Sequence, residues 1–212
     1  MAIDRGFPYS LGARRYSTLT SLLVLLGSLA LMGATVAACG AAQASKAQVK
    51  HGEHLVRVLG CNDCHTPHKI GPNGPEPDMT RMLSGHPENV AAPKPPTSLP
   101  EPWVWAGTGS NTAFAGPWGI TYAANLTPDQ NTGIGIWTED MFLRAIKLGK
   151  HMGQSRQIMP PMPWPAFSNL DEQDLRAIYR YLRSIPTITN HVPDYQSPED
   201  LDYAAKWEAI GH

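Results

Sequence analysis

Two cysteines and a histidine stand within five consecutive positions, Cys61, Cys64 and His65, inside the stretch GCNDCHTPH. Whatever these side chains hold together has to be accommodated by the rest of the fold, so the motif constrains the chain more than any other feature. Three chemistries use such a set. A zinc knuckle needs four ligands, usually drawn from two clusters of this kind; no second C-x-x-C and no H-x-x-x-H is present, although His68 and a distant histidine could be recruited. A thiol/disulfide pair is expected in a strand-rich fold with its first cysteine opening a helix, and no alternating strand pattern is visible here. The third is covalent haem attachment, for which C-x-x-C-H is the sequence. Two intervening residues bring both sulfurs to the vinyl groups on one edge of a porphyrin, and the following imidazole swings under the iron. The motif therefore favours a single haem c.

The amino terminus says where this chemistry happens. Arg5, Arg14 and Arg15 precede LTSLLVLLGSLALMGATVAA at 19–38, a charge-free run that reads as an export signal. The run ends in VAAC, so small residues precede Cys39, as at a bacterial lipoprotein cleavage site where the new first cysteine is acylated. Cleavage after Ala44, or retention of the run as an anchor, are the alternatives, since about 20 apolar residues can span a bilayer. All three put the remaining chain on the periplasmic side of the inner membrane, where thioether bonds to haem are made. The expected organisation is an export signal at 1–38, a linker at 39–45, one domain at 46–190 and a polar tail at 191–212.

Charged residues make up only 17% of the chain and the net charge is −1, which leaves no electrostatic footprint for nucleic acid. Residues 46–59 read as a helix, with Val49, Gly52, Leu55, Val56 and Leu59 at helical spacing and Gly60 as its stop. Thr138 can cap a second helix whose stripe is Phe142, Ala145 and Ile146, ended by Gly149. Asp171 can cap a third, with Asp174 three positions on for a reciprocal bond and Leu175, Ile178, Tyr179, Leu182 and Ile185 as its face until Pro186. Nine prolines between Gly71 and Pro102 argue against helix or central strand. The insertion at 71–118 is read as irregular, with Trp103, Trp105 and Trp118 packing its second half onto something apolar. The fold expected is all-α: helices wrapped around one covalent haem, with a long Pro/Gly-rich insertion.

A haem that shuttles electrons closes its sixth coordination position, and a methionine opposite histidine raises the reduction potential. QIMPPMPWPAF at 157–167 offers Met159 and Met162 in a proline-stiffened run before the last helix. His51 and His54 fall on the exposed side of the first helix, and His68, His86, His151 and His191 fall in loops where a surface role is the default. Trp118, Asn125, Trp137 and Arg156 could donate to the haem propionates, although core or surface packing accounts for each equally well.

GCNDCHTPH, YAANLTPDQNTGIGIWTEDMFLRAIKLGKH, MPPMPWPAF and DLRAIYRYLRSIP occur in this order. Over about residues 46–190 the chain resembles the class I c-type cytochromes, most closely a module of the membrane-associated cytochrome subunits of bacterial alcohol, aldehyde and gluconate dehydrogenases. That resemblance implies electron transfer rather than chemical catalysis. It implies Cys61 and Cys64 as covalent haem anchors, His65 as proximal ligand and Met162 as distal ligand, with Met159 as the alternative and Trp164 where the family usually has tyrosine. It implies redox partners such as a dehydrogenase subunit, another cytochrome or a terminal oxidase. The first and last helices of the family cross at a small residue facing an aromatic one, here Gly52 and Tyr181. The subunits commonly carry three haem motifs and this chain carries one. The competing reading is a haem enzyme or gas or redox sensor with an open or labile sixth position.

Overall fold

The computed structural model describes residues 45–90 and 102–201. The export signal, Cys39 and the end of the tail around Tyr203 and Trp207 lie outside the described residues. Helix α1 covers 45–58 and stops in a turn at Gly60, whose φ of 70° only glycine adopts without strain. The single turn α2, Cys61–His65, follows at once and carries the whole C-x-x-C-H motif. Thr138 caps α3, Glu139–Leu148, by accepting from the Met141 amide, and Gly149 closes it with a φ of 64°. A short α4, Trp164–Phe167, leads into α5, Glu172–Ser184.

α1, α3 and α5 meet in the core through Leu55 and Val56, Phe142 and Leu143, and Leu175, Ile178 and Leu182. The α1–α5 crossing is as close as backbones allow. A Cβ built on Gly52 would stand 1.9 Å from the Ala177 carbonyl oxygen and 2.9 Å from the Tyr181 Cβ, so the expected Gly52–Tyr181 contact is present. α3 is joined to α5 by Tyr179, whose hydroxyl donates to the Trp137 carbonyl at 2.7 Å, and by Glu139, which pairs with both Arg176 and Arg180. Asp171 stands at the N-cap of α5 but makes no side-chain capping bond. The expected reciprocal box is not formed, because Asp174 pairs with His51 of α1 at 2.7 Å instead.

The all-α expectation is wrong. The segment between α2 and α3 contains two small antiparallel sheets, so the domain is mixed α/β. β1, His68–Gly71, pairs with β2, Gly74–Pro77. β3, Ala106–Gly107, pairs with β4, Ala113–Gly116, which pairs with β5, Gly119–Tyr122. The strands are four residues or fewer, too short to display a period of two, and β4 is buried at every position instead of alternating. Turn chemistry makes the hairpins: Gly71-Pro72-Asn73-Gly74 and Gly116-Pro117-Trp118-Gly119 each leave a two-residue loop, and Gly74 and Gly119 take φ of 110° and 98°.

The insertion is also part of the core. Leu83, Ser84 and His86 are each 0% exposed, so the surface role expected for His86 does not hold. Trp105 stands edge-on to Phe114 at 6.0 Å but is itself exposed, and Trp103 is 67% exposed, so neither packs inward as expected. The start of the tail is built in rather than loose. Asn190 is buried, Gln196 bridges to Ile120, and the Tyr195 hydroxyl donates to the Trp118 carbonyl.

Candidate haem-attachment site

α2 holds the thiols of Cys61 and Cys64 on one helical turn, both free and partly buried. Burial pushes the Cys61 thiol up to about 11 and raises that of Cys64, with the Asp63 carboxylate adding to both. Both thiols are therefore protonated at neutral pH. This is opposite to a redox-active or metal-binding cysteine, where a cation or helix amino terminus favours the thiolate. Among the described residues no group of three or more His, Cys, Asp or Glu side chains is placed to hold a metal ion.

The His65 imidazole donates from Nδ1 to the Ala124 carbonyl at 2.8 Å. Burial lowers its pKa, and this bond offsets only part of the effect, so the ring is neutral with its proton on Nδ1. The Nε2 lone pair makes no hydrogen bond to a described residue and is available to a metal. A histidine fixed through one nitrogen to a carbonyl, with the other nitrogen unused, is the arrangement found behind metal-ligating imidazoles. The turn that carries it is fastened by Asn111, which donates to the Asp63 carbonyl, and by Thr66, which donates to the Asn62 side chain.

The second candidate segment is pinned at several points. Thr121 of β5 donates to the Pro160 carbonyl at 2.8 Å, and the Ile158 amide donates to the Gly149 carbonyl at 2.7 Å. The Trp164 indole lies flat on Gly149, where a Cβ would come within 2.3 Å of the ring. Lys147 binds the segment's exit through the carbonyls of Ser168 and Leu170. Met159 and Met162 sit half-buried inside this braced run.

One stretch of chain thus contacts both candidate axial segments: Thr121 reaches the methionine run and the Ala124 carbonyl accepts the His65 Nδ1–H bond. Three residues span at most about 11 Å, a separation compatible with a porphyrin held between two axial ligands. Neutral His65, the two adjacent thiols and the braced methionines fit a haem c.

Neither Thr121 nor the Ala124 carbonyl was identifiable beforehand, since a main-chain acceptor leaves no mark on residue identity. Of the propionate candidates, Asn125 is spent internally: its amide donates to the Ile188 carbonyl and its oxygen accepts from Thr127. Trp137 stands edge-on to His151 at 5.1 Å, and Arg156 is exposed. Trp118 keeps a buried indole N–H with no partner among the described residues. His51, His54 and His191 are exposed, as expected.

No protein-family model matches the chain. Its homologues are cytochrome c subunits of alcohol, gluconate and fructose dehydrogenases. It is 26% identical over 190 residues to the cytochrome c subunit of the quinone alcohol dehydrogenase of Gluconobacter oxydans, a match covering 88% of this chain and 32% of that protein. It is 28% identical over 160 residues to the gluconate 2-dehydrogenase cytochrome c subunit of Pantoea cypripedii, covering 76% and 27%. With the fructose dehydrogenase cytochrome subunit of Gluconobacter japonicus it shares 24% identity over 141 residues, covering 66% and 22%. The chain spans about a third or less of the length of these relatives.

Proposed function

We propose that the chain is a single-haem c-type cytochrome, exported and membrane-associated, that passes electrons between a dehydrogenase and a further redox protein. The observation that carries this reading is the geometry of α2: His65 with Nδ1 tied to a carbonyl, next to two free thiols on the same turn. The homologues' names agree with it.

Haem c supplies reversible one-electron chemistry at its iron when bound. The chain's residues do the rest. Cys61 and Cys64 would hold haem c covalently through their sulfurs, which calls for thiols rather than a disulfide. His65 would bind its iron through Nε2, with the Ala124 carbonyl fixing its tautomer and ring orientation. Met162, with Met159 as the alternative, would be a second iron ligand, whose thioether would raise the potential relative to a nitrogen ligand. The bracing at Thr121, Gly149 and Lys147 limits movement of that segment between oxidation states. A lipid on Cys39, or an uncleaved leader, provides the membrane attachment.

The test is covalent haem on the denatured polypeptide. Secreted from a host that matures c-type cytochromes, the chain is expected to retain a peroxidase-staining haem on a denaturing gel, and Cys61→Ser with Cys64→Ser to abolish it. A colourless product with both thiols titratable overturns the proposal.

A further inference from the structure

The insertion contains a four-residue stretch, Leu83–His86, whose main chain lies between the haem motif and the segment that accepts the His65 Nδ1–H bond. On one side the Leu83 amide donates to the Thr66 hydroxyl at 2.9 Å and the Gly85 amide to the His65 carbonyl at 2.8 Å. On the other the His86 amide donates to the Ala123 carbonyl at 2.9 Å, and the Leu83 carbonyl accepts from Leu126 at 2.8 Å. The Ser84 and His86 carbonyls are both taken by the Asn190 amide, at 2.7 and 2.8 Å. Buried main-chain groups are rarely left unpaired, and four of those in this stretch pair by joining His65–Thr66 to Ala123–Leu126.

Gly85 is the point of closest approach. Its φ is 79°, and a Cβ there would lie 2.4 Å from the Ala123 oxygen, 2.6 Å from the Ala124 carbonyl carbon and 2.8 Å from the Ala124 oxygen. That oxygen is the acceptor of the His65 Nδ1–H bond. One residue therefore holds the main chain of His65 through its amide and packs, atom against atom, on the carbonyl that fixes the ring. No side chain can enter this gap without moving that carbonyl.

We propose that Leu83–His86 is a strap that sets the His65 Nδ1–H to Ala124 hydrogen bond, with Gly85 as the positioning residue, and so tunes how strongly the imidazole donates to iron. The inference rests on the haem reading above. A hydrogen bond accepted from Nδ1–H makes an imidazole a stronger donor, which favours the ferric state; weakening the bond therefore raises the reduction potential.

The experiment uses the matured holoprotein and four variants: Gly85→Ala; Thr66→Val, which removes the strap's tie to the Leu83 amide and also the Thr66–Asn62 bond; Asn62→Ala, which breaks only that second bond and is expected to shift the readouts less than Thr66→Val; and Gly109→Ala, which meets nothing within 4 Å. The readouts are the midpoint potential and, by NMR, the solvent exchange of the His65 Nδ1 proton. Gly85→Ala is expected to raise the potential and to speed exchange roughly tenfold, equivalent to about 1.4 kcal/mol. Thr66→Val is expected to shift both in the same direction by less, and Gly109→Ala to shift neither. Should Gly85→Ala fail to fold, Thr66→Val decides. Unchanged potential and exchange in the folded strap variants overturn the inference. A wild-type product without haem overturns the haem reading instead.

Discussion

At His65 a single proton decides what the ring can do, and the chain places that proton with a main-chain oxygen 59 residues away. The residues proposed to anchor a haem are visible in CNDCH, whereas the group that orients His65 was not, because any residue at 124 presents a carbonyl. For the proposed distal ligand, the sequence offers two methionines in a stiff run, and both lie in the braced segment. Met162→Ala is expected to open the sixth position, giving a lower midpoint potential and rapid carbon monoxide binding by the reduced protein. Met159→Ala is expected to leave both close to wild type. The reverse pattern assigns the ligand to Met159. Asp129 offers a pH test in the loop that follows Ala124. The Thr132 hydroxyl and amide, the Thr189 hydroxyl and the Asn131 amide all donate to its carboxylate and hold its pKa below the usual 3.8. A depressed carboxylate stabilises the fold fully above its ordinary pKa and loses that contribution as pH falls through the folded value. Asp129→Asn should therefore lower the melting temperature at pH 6 and converge on wild type as the pH falls through the depressed folded value. A constant difference across that range counts against the assignment.

Among the elements, the three long helices were readable because each carries its own period, cap and stop. α3 begins at Thr138 and ends at Gly149 as its sequence demands. α5 runs to Ser184 before Pro186, although its N-cap residue Asp171 makes no side-chain capping bond and Asp174 has a partner on α1 that no local pattern reveals. The sheets were missed because strands this short carry no period, yet their turns were written plainly: Gly-Pro-x-Gly appears at 71–74 and again at 116–119. The α1–α5 crossing makes a quantitative claim. Gly52→Ala must push Ala177 away, since its methyl would lie 1.9 Å from a carbonyl oxygen that cannot rotate aside. Overpacking of this kind costs about 1–3 kcal/mol. The expected result is a lower denaturant midpoint with an unchanged slope; a midpoint equal to wild type removes the crossing from the account of stability.

For the molecule as a whole, the chain spans about a third or less of the length of the relatives it matches, and one C-x-x-C-H occurs in its 212 residues. Among the described residues no helix is long and apolar enough to cross a membrane. Cys39→Ser is expected to move the protein from the membrane fraction to the soluble one; continued tight association points to an uncleaved leader. The three-helix core was legible at this scale from periodicity alone. The burial of residues 83–86 and 190 was not, since it depends on contacts made over more than 100 positions. Those contacts also impose a sequence of events on a chain that appears amino end first. The motif turn emerges well before Asn190 and Gln196, so α2 stands ready before the segment that pins Leu83–His86 and pairs with Ile120 arrives.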